Sequence, residues 1–216
     1  MPDYSFVQKI IIYAIPILFA ITVHEVAHGW IASKLGDQTA RMMGRLTLNP
    51  IKHIDPVGTI LVPLLMVMVS PFMLGWAKPV PVDWRNLRRP RQDMAWVALA
   101  GPAANLIMLF LWAILAKIII VSGLGNYHYS LPFITMAMVG ITINIVLMVL
   151  NMIPIPPLDG SRVLSALLPP RTAMYFNRLE PYGLIIVLVL LFTGVLGKFF
   201  FPIVDYFSAA VKSLIF

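Results

Sequence analysis

The 216-residue chain has no cysteine, which removes disulfides, thiolate metal ligands and cysteine nucleophiles. Charge is nearly as scarce. Asp, Glu, Lys and Arg make up 12% of the residues, roughly half the share of a soluble domain. Acids are the rarer sign, nine against sixteen Lys and Arg. With 60% apolar residues and a mean hydropathy of +0.88, a soluble globule, a disordered chain and a nucleic-acid-binding domain are all excluded. In such a chain the net +7 reflects cytoplasmic loops rather than a nucleic-acid partner.

What is present is uncharged length. Residues 56–77 (22 residues), 94–116 (23), 118–158 (41) and 181–197 (17) carry no charge. A helix crosses the hydrocarbon core with about 20 apolar residues. The expected fold is an all-α polytopic membrane protein in the bilayer. It has about four transmembrane helices plus a re-entrant or fifth spanning segment (58–76) with a short β element.

The first helix is expected over about 4–35, stopped by Gly36. Its apolar pattern runs past Val23 to Ala32 and follows Asp3 rather than a basic cluster, so it reads as a retained span. Further spans are expected at 94–121, 131–153 and 181–200, with an amphipathic tail to 216. The chain is one integral-membrane domain, 1–216. Its core covers about 4–165, and the C-terminal span and tail cover 181–216.

The first helix contains His24-Glu25-Val26-Ala27-His28. Positions i and i+4 share a helical face, so both imidazoles can bind one metal ion while Glu25 reaches a water on it. Ionisable groups at membrane depth cost about 2.5–3.5 kcal/mol each even on lenient scales, and a divalent cation offsets that cost. The alternative is a hydrogen-bonded polar cluster between helices. A third ligand must be Asp, Glu or His. Asp37, Asp55, Asp83 and Asp93 lie in basic stretches expected to be solvated, whereas Asp159 ends a 41-residue uncharged run amid Pro154, Pro156, Pro157 and Gly160. Irregular backbone at that depth survives only against protein or a watery cavity. Asp159 is the best third ligand; the alternative is a turn aspartate at the interface.

These motifs resemble the site-2 proteases, a family of intramembrane zinc metalloproteases. His24–His28 is similar to the family's HExxH helix. Asn151 to Gly160 (NMIPIPPLDG) is similar to its NxxPxxxLDG motif, and Gly101-Pro-Ala-Ala-Asn105 to its small-residue motif. The resemblance covers roughly 15–165 and implies a compact member without PDZ or CBS domains. It implies one Zn²⁺ per chain held by His24, His28 and Asp159, with Glu25 as general base. Asn151 would orient substrate backbone or support the oxyanion, the alternative being an interhelical hydrogen bond, and Asn105 would line the site, the alternative being helix packing. The implied activity is hydrolysis of a peptide bond in or near the transmembrane segment of a membrane-protein substrate. The rival reading is a metal-ion or proton transporter using the same His/Glu/Asp cluster. His53 and His128 match no motif, and Asn144 reads as structural.

Topology follows from the metal. If 58–76 spans, His24–His28 and Asp159 fall at different depths; if it re-enters, they share one end. Re-entry also puts twelve basic residues on one face against four on the other, whereas a full span splits them nine to seven. The positive-inside rule therefore favours re-entry, with the site nearer the cytoplasmic face of a bacterial cell membrane. Residues 75–82 (GWAKPVPV) read as an edge strand for an extended substrate, with Pro79 and Pro81 limiting promiscuous pairing.

Overall fold

The computed structural model describes residues 4–61, 77–123 and 128–215. Helix α1 spans Phe6–Lys34. Ser5 starts it with a reciprocal cap: its hydroxyl accepts the Gln8 N–H at 3.3 Å, and the Gln8 side chain accepts the Ser5 N–H at 2.9 Å. Gly36, at φ +121°, turns the chain just beyond its end. The short α2 (Thr39–Met42) follows, then helical turns at Pro50–His53 and Pro56–Leu61. After a 3-10 turn at Trp84–Asn86 come α3 (Pro90–Val121) and α4 (Leu131–Asn151). The C-terminal third holds α5 (Asp159–Leu167), α6 (Pro170–Asn177), α7 (Gly183–Phe192) and α8 (Val195–Ile215).

Among the described residues, four helical stretches are long and apolar enough to cross a membrane: Phe6–Lys34, Pro90–Val121, Leu131–Asn151 and Pro170–Phe192. The first three form the central bundle. The Tyr4 hydroxyl meets that of Thr135 at 2.9 Å, so α1 and α4 begin at the same end. Helix α3 runs opposite to both, because Val97 near its start faces His28 near the end of α1. Leu109, Ile141 and Ile145 pack between α3 and α4. Val204, Val211 and Ile215 of α8 close over them, and the Lys117 ammonium donates to Leu214 O at 2.9 Å.

The structure corrects several expectations. The last span was expected over 181–200 with a tail beyond. Instead Thr193 and Gly194 (φ +73°) break the helix there, the apolar stretch lies at Pro170–Phe192, and the tail is a packed 21-residue helix. Asp37 and Asp93, expected in solvated loops, are buried. Asp37 accepts the Thr39 and Asp83 N–H groups and the Asn86 amide, tying the α1 corner to the start of α3. Asp93, in the first turn of α3, reaches back to accept the Arg89 N–H at 2.8 Å. Residues 77–83 form no strand, so the described part of the expected edge strand is irregular. Pro79 and Pro81 have no N–H, while those of Lys78 and Val80 are taken by His53 O and Glu25.

Most of the expected segment 58–76 lies outside the described residues, but its flanks are informative. Lys78 N–H donates to His53 O at 2.9 Å, and Arg45 donates to Lys78 O at 2.9 Å. A single crossing would separate these residues by about 30 Å. His53 and Lys78 therefore lie at one end of the bundle. At that same end Arg88 N–H donates to Leu35 O at 3.0 Å.

Candidate metal centre

Helical spacing puts His24 and His28 on the face of α1 that meets α3, and their Nε2 atoms lie 3.0 Å apart. The opposing residue is Gly101. A Cβ there would stand 2.5 Å from His24 Cε1 and 2.6 Å from its Nε2. Only glycine admits both rings at this crossing.

Asp159 arrives from the far side. Helix α4 stops at Asn151, and the stretch 152–158 folds the chain back so that Asp159 opens α5. Gly160 makes this reversal feasible, since a Cβ on it would lie 2.5 Å from the Met152 carbonyl carbon and 2.7 Å from Ile153 O. Arg91 then pins α5 against α3 by donating to Ala166 O at 2.9 Å and to Leu168 O. Asp159 Oδ2 ends 3.3 Å from both His24 Nε2 and His28 Nε2.

This arrangement fits a metal ion. His28 Nδ1 faces the Val97 carbonyl at 2.6 Å, an atom that can only accept, so Nδ1 carries the proton and Nε2 a lone pair. Asp159 Oδ2 is buried and makes no hydrogen bond of normal geometry. Ligand atoms about 2.0–2.1 Å from a tetrahedral zinc lie ~3.3–3.4 Å apart, which the observed 3.0, 3.3 and 3.3 Å approach. His₂-carboxylate is a usual catalytic zinc set. His24, His28 and Asp159 are the group of three such residues that converges among the described residues.

Glu25 lies beside this cluster, and its Oε2 accepts the Val80 N–H at 2.8 Å. Glu25, the three clustered residues and Asn151 line one cavity of ≈ 380 Å³. A second cavity of ≈ 400 Å³ shares His24, Glu25, Pro79, Asn151 and Pro157 with it, so the two form one cleft. The second cavity is mostly apolar, walled by Ile21, Leu147 and Leu150 and, from α7, Leu184 and Val187. Asn151 donates its Nδ2 to Leu147 O at 3.0 Å, leaving Oδ1 for the cleft.

Asn105 does not line the cleft. It is fully buried behind His24, and its Oδ1 faces His24 Nδ1 at 2.6 Å. Its other contacts, with Ala20 and Asn144, exclude it from touching a substrate. Sequence reasoning also passed over Arg162, counted only as a basic residue. It stands one turn beyond Asp159, stacks 4.7 Å from the Trp84 ring, pairs with Glu180 at 3.2 Å and lines the first cavity. The i+3 spacing from Asp159 was the available signal. His53, which matches no motif, is buried, with Nε2 on Thr47 O at 2.9 Å.

Apolar helices around a His–His–Asp cluster, with a glutamate one residue from the first histidine, define an integral-membrane metalloenzyme. The model of peptidase family M50 matches residues 116–194. YwhC of Bacillus subtilis, named as a zinc metalloprotease, is 38% identical over 192 residues, covering 88% of this chain and 84% of the relative. Rip2 of Mycolicibacterium smegmatis, named likewise, is 30% identical over 204 residues, 94% of this chain and 75% of the relative. Rip2 of Mycobacterium tuberculosis H37Rv is 26% identical over 187 residues, 87% and 69% of the two chains. No solved structure matches. The chain belongs to peptidase family M50, the site-2 proteases, and is a membrane zinc metalloprotease.

Proposed function

We propose that the protein is an intramembrane endopeptidase that hydrolyses a peptide bond in or near the transmembrane segment of a membrane-protein substrate. The carrying observation is the convergence of two Nε2 atoms and a buried carboxylate oxygen within 3.3 Å, beside Glu25 on a cleft. His24, His28 and Asp159 hold one zinc per chain, within a single catalytic domain. Bound there, zinc supplies a Lewis acid for the scissile carbonyl and for water.

Glu25 does the proton work. Val80 N–H occupies its Oε2, which leaves Oε1 to take the proton of the attacking water and pass it to the leaving amine. Asn151 offers its Oδ1 to the substrate backbone. The apolar arm of the cleft suits side chains of a membrane segment, and the arm beside 79–82 suits unwound backbone. The basic loops gather at the His53–Lys78 end of the bundle, which supports a cytoplasm-facing site in a bacterial membrane.

The test uses detergent-purified wild type, Asp159→Ala and Glu25→Gln with a single-span reporter. Wild type should carry one zinc and cleave. Asp159→Ala should lose zinc, and Glu25→Gln should keep zinc while losing cleavage. Equal zinc in Asp159→Ala, or an active Glu25→Gln protein, would refute the proposal.

A further inference from the structure

Behind His24 lies a chain of amides that crosses all three central helices. Asn144 on α4 donates its Nδ2 to Gly140 O at 2.7 Å. Asn105 on α3 donates its Nδ2 to Asn144 Oδ1 at 2.9 Å and to Ala20 O of α1 at 3.3 Å. Asn105 Oδ1 meets His24 Nδ1 at 2.6 Å. Both asparagines are fully buried, so a lost link leaves a buried polar atom without its partner.

The chain has a single polarity. Gly140 O is a backbone carbonyl and only accepts, so the amide nitrogen of Asn144 must face it. That turns Asn144 Oδ1 toward Asn105, where only a donor is compatible. The carbonyl of Ala20 makes the same demand on Asn105 independently. Asn105 must therefore point its NH₂ at both acceptors and its Oδ1 at His24. An acceptor at His24 Nδ1 places the ring proton there and leaves the Nε2 lone pair facing His28 and Asp159.

The geometry points to Asn105, braced by Asn144, as a positioning residue that fixes the Nδ1–H tautomer and ring orientation of His24 and so presents its Nε2 to the metal. Without that acceptor, His24 can move its proton to Nε2 and donate it to Asp159 Oδ2, 3.3 Å away. The site would then be satisfied internally and closed to zinc. This inference rests on the zinc reading of His24, and the experiment separates the two.

The full chain is labelled with ¹⁵N-histidine in detergent micelles and stripped of zinc. Long-range ¹H–¹⁵N correlation reads the tautomer, and competition against a chelator of known affinity reads zinc binding. Wild type should hold His24 as Nδ1–H. Asn105→Leu, of similar size but lacking an acceptor, should populate Nε2–H and weaken zinc binding about 10- to 100-fold. An unchanged tautomer and zinc affinity in Asn105→Leu overturns the inference. If Asn105→Leu does not fold, Asn144→Leu replaces it. Asn105 is then oriented by Ala20 O alone, and both readouts should move in the same direction by less; no change in either overturns the inference. A wild type that takes up no zinc refutes the zinc reading instead.

Discussion

Adding one methyl group at Gly101 tests the metal centre most sharply. An alanine Cβ there would stand 2.6 Å from His24 Nε2 and 2.5 Å from Cε1, and it would also press on His28 Nε2. Ordinary contact begins near 3.4 Å, so the rings must retreat by about 0.8–1.0 Å to escape repulsion. A metal site accepts ligand displacements of only about 0.2 Å. The retreat exceeds that several-fold and acts on two of the three ligands at once. Gly101→Ala should therefore weaken zinc binding by at least about 100-fold, or ~2.7 kcal/mol. The fold should bear only an overpacking cost of about 1–3 kcal/mol. Chelator competition on purified protein reads the first quantity, and thermal unfolding of the zinc-free protein reads the second. Wild-type zinc affinity in a folded Gly101→Ala protein would refute the placement of the ligands at this crossing.

Two further outcomes follow from contacts outside the ligand set. Val80→Pro removes the N–H that holds Glu25 Oε2; a hydrogen bond to a charged group contributes about 1.5–3 kcal/mol, so single-turnover cleavage should slow at least ~10-fold with zinc content unchanged, and full-rate cleavage would contradict the role. Burial works to raise the Asp37 pKa, but bonds from Thr39, Asn86 and the Asp83 N–H outweigh it and lower the pKa from 3.8. A carboxylate depressed on folding stabilises fully above its unfolded pKa and loses that contribution as pH falls through its lower folded value. The 37–39/83–86 corner should thus hold down to about pH 3.8 and loosen only below it, while Asp37→Asn loosens it at neutral pH; amide exchange at Thr39 and Asp83 measures both, and equal protection in the variant would contradict the anchor.

The parts of the site that follow from spacing were legible before any coordinates. His24, Glu25 and His28 declare themselves because a helix puts i and i+4 together. Asp159 stood out because a lone acid after 41 uncharged residues needs a reason. The order of three motifs implied the family. What escaped was whatever depends on partners distant in sequence. Asn105 and His24 are 81 residues apart, and nothing in either local sequence says that one amide serves the other ring. Asp37 and Asp93 looked like solvated loop acids because the backbone N–H groups among their partners leave no trace in composition. The break at Thr193–Gly194 was hidden for a related reason. Hydropathy averages over a window, and one left-handed glycine does not change the average. Arg162 was grouped with the other bases although its guanidinium stacks on Trp84 at the cleft.

The hydrogen bond between Lys78 N–H and His53 O has a consequence for how such a chain can vary. It holds the two ends of the intervening stretch at one spot, so the placement of the later helices does not depend on that stretch's length. A longer, shorter or wholly different insert could stand there without reversing the direction of any later helix. Nor would it carry Asp159 away from His24 and His28. The threading of the bundle and the sequence of that stretch are thereby separable traits, free to change at different rates.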